Sequence, residues 1–77
     1  MAVRYSKLWK LMIDMDINKT QLRELAHIST NAIAKLGKNE LVSMETLAKI
    51  CSALGCDIGD IVEFIGVDER ENALNGN

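Results

Sequence analysis

Residues 18–39 read NKTQLRELAHISTNAIAKLGKN, and the fold turns on how this stretch divides. Asn18 is a natural helix N-cap, since its short side chain can accept from an orphan amide while Gln21, three residues on, reaches back to complete a capping box. That predicts a helix from Lys19 to Ala26, with Leu22, Leu25 and Ala26 facing inward and Lys19, Thr20 and Arg23 facing out. Ile17, just before the cap, is placed to staple the first turn. His27 and Ile28 form a tight connection, and Ser29 is a second N-cap ahead of Thr30. The next helix, Thr30 to about Lys38, offers only Ile33 and Leu36 to an interior, with Ile28 filling the corner. Gly37 or Asn39 can end it, because either tolerates positive φ.

Two short helices joined at so tight a corner fit a helix-turn-helix. On the N-terminal side, Tyr5, Leu8, Trp9, Leu11, Met12 and Met15 recur at spacings of three and four and predict an amphipathic helix from Tyr5 to Met15. Arg4, Lys7 and Lys10 form a basic edge beside it, either solvated or within reach of a phosphate. On the C-terminal side, Ser43 is a third cap, followed at helical spacing by Met44, Leu47, Ala48, Ile50, Cys51 and Leu54, with Gly55 placed to close the helix. Asp57 then caps an expected last short helix bearing Ile58, Ile61, Val62 and Ile65, with Asp60 near its positive end. The reading is an all-α domain over residues 1–66, with a polar tail, 67–77, expected to be flexible.

Composition agrees with this outline. Seventy-seven residues make one domain, which buries roughly 60–65% of the surface of its unfolded chain and leaves no room for a large catalytic cleft. Proline is absent and only three residues are aromatic, which favours short helices over a sandwich. Two cysteines are too few for the disulfide framework of a small secreted domain, and the N-terminus lacks the apolar run of a signal peptide, so a cytoplasmic protein with reduced thiols is expected. Nor does any apolar run approach the ~18 residues needed to span a bilayer. The net charge is −2, but it is segregated: residues 1–38 carry seven Lys/Arg against three acids, and residues 39–77 carry two against eight. A partner feels the local potential, so the basic half remains open to an anion.

The set Leu22, Ile28, Ser29, Ile33, Leu36, Val42, Ser43, Leu47, Ile50, Leu54, Asp57 and Ile61, with its spacing, resembles the Cro/CI-type helix-turn-helix domain, or XRE family, in its compact single-domain branch. The resemblance covers about residues 5–65. It implies a five-helix bundle of the lambda-repressor-like type, whose third helix, from about Thr30 to Lys38, lies in the DNA major groove. The residues suit that role. Thr30 and Asn31 stand in the exposed first turn, and Lys35, about one turn on, shares their outer face. Asn can pair bidentately with adenine, Lys can reach guanine O6/N7, and Thr can bond a base edge or pack on a thymine methyl. Asn18, Lys19, Thr20, Ser29, Lys38 and Asn39 match positions where the family grips the phosphate backbone, although capping alone already accounts for Asn18 and Ser29. Many relatives carry an ion pair of a first-helix Arg and a Glu at the positions of Met12 and Gly37, and here both partners are absent together, which strands no charge. A glycine usual at the turn is replaced by His27.

The remaining reactive residues offer little chemistry. His27 has no Cys, Asp or Glu at ligand spacing in its own turn, Cys51 and Cys56 lack two further zinc ligands, and the acids at 57, 60, 63 and 68 have no paired geometry in a pocket. The expectation is therefore a non-enzymatic, cofactor-free, sequence-specific DNA-binding transcriptional regulator, a repressor that binds a two-fold symmetric operator as a homodimer. Ile58, Val62, Phe64 and Ile65 on the C-terminal helix, together with the tail, are the expected dimer surface. No membrane or small-molecule partner is indicated. The alternative is a protein-interaction module, antitoxin-like or an anti-repressor partner, acting through the acidic second half.

Overall fold

The computed structural model of the chain describes residues 2–66. Along the chain run β1 (Ala2–Arg4), α1 (Ser6–Asp14), α2 (Lys19–Ala26), α3 (Thr30–Gly37), α4 (Met44–Leu54), a single 3-10 turn (Ile58–Asp60) and β2 (Glu63–Ile65). The described residues are mostly helical, but they contain four α-helices rather than five.

Three of the four helices, α2, α3 and α4, start at side-chain caps. The Asn18 side chain accepts from the Gln21 amide at 2.8 Å while the Asn18 amide donates to Gln21 Oε1 at 2.8 Å, a complete capping box. Ser29 Oγ accepts from Ala32 N at 3.0 Å, and Ser43 Oγ from Thr46 N at 3.1 Å. Helix ends share one device. Asp16, His27, Asn39 and Gly55 all adopt positive φ, between 55° and 67°. In each case the following amide donates back to a carbonyl five residues earlier: Ile17 to Met12, Ile28 to Arg23, Glu40 to Lys35 and Cys56 to Cys51. This is the bond pattern of the Schellman motif, and only α4 uses glycine for it.

The expected C-terminal helix is the main correction. Asp57 does cap, its carboxylate accepting from Ile58 N at 2.8 Å while its own amide donates to Asp60 Oδ2 at 3.0 Å, but the cap supports one 3-10 turn only. Gly59 weakens helix propagation, and β-branched Ile58, Ile61, Val62 and Ile65 suit extended backbone better. The segment instead pairs antiparallel with β1, in the register Ala2 with Ile65, Val3 with Phe64 and Arg4 with Glu63. Arg4 Nε donates to Glu63 Oε1 at 2.8 Å across that ladder, which holds the Glu63 carboxyl below its usual range.

The core gathers Val3 and Tyr5 with Leu8 and Met12 of α1, Leu22 and Ala26 of α2, Ile28, Leu36 of α3, Leu47, Ile50 and Leu54 of α4, and Ile61. Ile17 packs against it, as its place before the cap predicts. Four residues of the expected apolar faces are exposed: Met15, Leu25, Met44 and Ala48. Leu25 lies on the opposite side of Leu22 from Ala26, and α2 turns the Ala26 side inward; Met15 falls past the end of α1. The tail 67–77 lies outside the described residues.

Candidate nucleic-acid interface

α3 is held from below by very little. Leu36 is fully buried, Ala32 and Ile33 are half-buried, and Thr30, Asn31, Ala34 and Lys35 are exposed. With so few apolar side chains committed to the core, most of the helix surface stays available to a partner. The helix closes at Gly37, one residue earlier than the sequence suggests, and Lys38 and exposed Asn39 make the turn that follows.

The structure sorts the expected contact residues into two groups. Ser29, Asn31 and Lys35 line a shallow notch of about 190 Å³ together with Ala32, Val42, Ser43 and Thr46. Here the first turns of α3 and α4 face the same space, and the Ser43 and Thr46 hydroxyls lie 3.0 Å apart. In the sequence Ser43 shows only as a cap and Thr46 carries no signal beyond a hydroxyl at the other end of that cap, because its place beside α3 is tertiary. Thr30 stands in the same first turn of α3, outside the notch lining.

The second group joins the start of α2 to the end of α3. Lys19 Nζ sits 4.8 Å from the Trp9 ring centroid, and a Cβ built on Gly37 would stand 3.4 Å from that nitrogen. Exposed Asn18 and Thr20 flank Lys19, and exposed Lys38 and Asn39 follow Gly37. Met12, where relatives place an arginine, is buried at 4% exposure, so the missing ion pair is replaced by apolar packing below and by a lysine over an aromatic ring at the edge. Buried Tyr5 steadies the loop between α3 and α4 by donating from Oη to the Glu40 carbonyl at 2.7 Å.

A scan of protein-family models matches the Cro/C1-type helix-turn-helix DNA-binding domain over residues 7–66. The chain belongs to that family. A solved structure to which it is similar is the crystal structure of transcriptional regulator VanUg, form II, at 55% identity, covering 80% of this chain and 83% of that chain, with a TM-score of 0.78. No curated protein matches.

Within this helix-turn-helix domain two of the three cations expected to form a basic edge beside the first helix are engaged internally. Arg4 is paired with Glu63, and Lys7 Nζ donates to the Gly59 carbonyl at 3.2 Å, while Lys10 is exposed. Cys51 and Cys56 are free thiols, both half-buried. They neighbour each other at the end of α4, and burial pushes the Cys56 thiol up to about 11. Among the described residues no three His, Cys, Asp or Glu side chains are grouped to hold a metal ion, and no helix is long and apolar enough to cross a membrane.

Proposed function

We propose that the chain is a sequence-specific DNA-binding transcriptional regulator that inserts α3 into the major groove and represses by occupying its operator. The observation that carries this reading is the exposure of Thr30, Asn31 and Lys35 on a helix anchored by one fully buried residue, Leu36. Asn31 reads adenine, Lys35 reads guanine and Thr30 adds a base-edge or methyl contact. Asn18, Lys19, Thr20, Ser29, Lys38 and Asn39 grip phosphates on either side. The similarity to a structure described as a transcriptional regulator supports the regulatory part of the reading.

One such module touches few base pairs, so we propose a homodimer on a two-fold operator. Its surface is no longer a C-terminal helix. Strand β2 leaves an outer edge in a two-stranded sheet, and Phe64 on it is 61% exposed, so β2, with Ile65 in it and Val62 just before it, is the surface we assign to a second copy.

Selecting bound duplexes from a random pool tests specificity and symmetry together: a two-fold symmetric motif is expected, and recovery of unselected sequence would refute base reading. Contact with about five phosphates should give a slope of log K against log salt near −4 to −5. The concentration of acids in residues 39–77 favours the alternative, a protein-interaction module, and for that no DNA binding is expected at any salt concentration.

A further inference from the structure

We infer that Trp9 is a positioning residue for the phosphate grip of Lys19, holding the ammonium in place without neutralising it; this rests on the DNA-binding reading above.

Lys19 opens α2, and its side chain is met from two other helices. The α1 indole lies under the ammonium at 4.8 Å, and the end of α3 approaches it at Gly37, where a side chain is missing. Trp9, Met12, Ile13, Ile17 and Asn18 line one shallow groove with Lys19, so the aliphatic stem of the lysine has an apolar wall to lie along while its charged head stays exposed. Carbonyl dipoles at the C-terminal end of α3 attract the same charge. A free lysine loses most of its rotamer freedom when it binds a phosphate, and one already held over a ring has lost part of it beforehand.

The kind of holder matters. A carboxylate would fix the ammonium as well but would cancel the charge that a phosphate must feel. An aromatic face attracts a cation through its quadrupole and adds no net charge. Among the described residues Lys19 makes no salt bridge. Gly37 keeps the approach open, since any acidic side chain there would reach the lysine.

The test measures binding of a labelled duplex against salt for the wild type, Lys19→Met, Trp9→Leu, Trp9→Phe and the double variant Trp9→Leu/Lys19→Met, each first shown to be folded by its thermal melt. Lys19→Met should reduce the salt slope by about one. Trp9→Leu should weaken binding about two- to fivefold on every duplex, and Trp9→Phe by less, since it keeps a ring face. In the Lys19→Met background Trp9→Leu should cost nothing further. Equal losses from Trp9→Leu in both backgrounds would overturn the inference while leaving the DNA-binding reading intact. Should Trp9→Leu not fold, the wild type supplies its own probe, because Trp9 is the single tryptophan. Its emission should change on adding duplex and should not change in Lys19→Met; the same change in both proteins overturns the inference. A wild type without salt-dependent binding removes both claims.

Discussion

Helices α3 and α4 begin alike and end alike, yet they are held by different forces. Each starts at a serine in extended backbone whose hydroxyl caps the third helical amide, and each closes through a residue at positive φ with a Schellman bond behind it. Between those ends α4 buries Leu47, Ile50 and Leu54 and packs chiefly on α2, whereas α3 fully buries Leu36 alone. The residues whose backbones are joined across each closing turn differ in the same sense: Cys51 and Cys56 after α4, Lys35 and Glu40 after α3. Local signals place a helix; burial decides which of its faces is spent. A helix placed by caps and hung from one buried residue keeps its outer surface for a partner.

The largest effect should come from removing the anchors themselves. Leu36→Ala and Ile50→Ala each empty a position with 0% exposure, and each should cost about 3–4 kcal/mol in urea unfolding, much of the stability of a domain of this size. Equal costs would sharpen the contrast, because α3 would then depend on one side chain as heavily as α4 depends on any of three. A Leu36→Ala cost below about 1 kcal/mol would show that Ala32 and Ile33 hold the helix instead, and the idea of a single anchor would fail.

Next in size is the outer face. Asn31→Ala should cost about 1–3 kcal/mol in binding the preferred duplex and should relax selectivity at one base pair, with the melting temperature unchanged because Asn31 is exposed. Lys38→Ala should weaken every duplex alike. Should both variants lose affinity uniformly, Asn31 grips the backbone and reads no base.

The caps come third. Ser29→Ala and Ser43→Ala should each remove about 1 kcal/mol of stability, and Ser29→Ala should in addition weaken DNA binding if the hydroxyl also serves a phosphate. A stability loss for Ser29→Ala well below that for Ser43→Ala would mean that α3 is organised by its neighbours more than by its own start.

Legibility in the amino-acid sequence follows the same division. The spans of α2 and α4 and the start of α3 are legible because Asn18 with Gln21, Ser29 and Ser43 act within four residues of chain, and Gly55, His27 and Asn39 carry the closing turns in the same local way. The segment Ile58–Ile65 is not, since its apolar spacing fits a helix or a strand and the choice is made by Ala2–Arg4, about sixty residues away. Leu25 misleads for a related reason: an eight-residue helix has two candidate inner edges, and only the packing partner chooses between them. At the interface, the exposure of Thr30, Asn31 and Lys35 follows from a count of apolar residues. The ring under Lys19 and the two hydroxyls beside Lys35 depend on how separate helices meet, which no local pattern carries.

The smallest effect should separate the two closing turns by pH. Sequestration at the end of α4, and the neighbouring Cys51 thiol, raise the Cys56 pKa from an ordinary 9.0 to about 11. A group that holds its proton more tightly in the folded chain contributes its full stability below the unfolded value and loses it as pH rises through the folded one. Unfolding midpoints should therefore fall between pH 9 and about 11, and Cys56→Ala should flatten that fall. Some decline should persist, because burial raises Cys51 and Tyr5 in the same direction. Asn39 in the turn after α3 does not titrate, so Asn39→Gly should shift the whole pH curve without changing its alkaline shape. If Cys56→Ala left the alkaline fall unaltered, the Cys56 thiol would not be sequestered at the end of α4, and the two helix ends would differ in composition only.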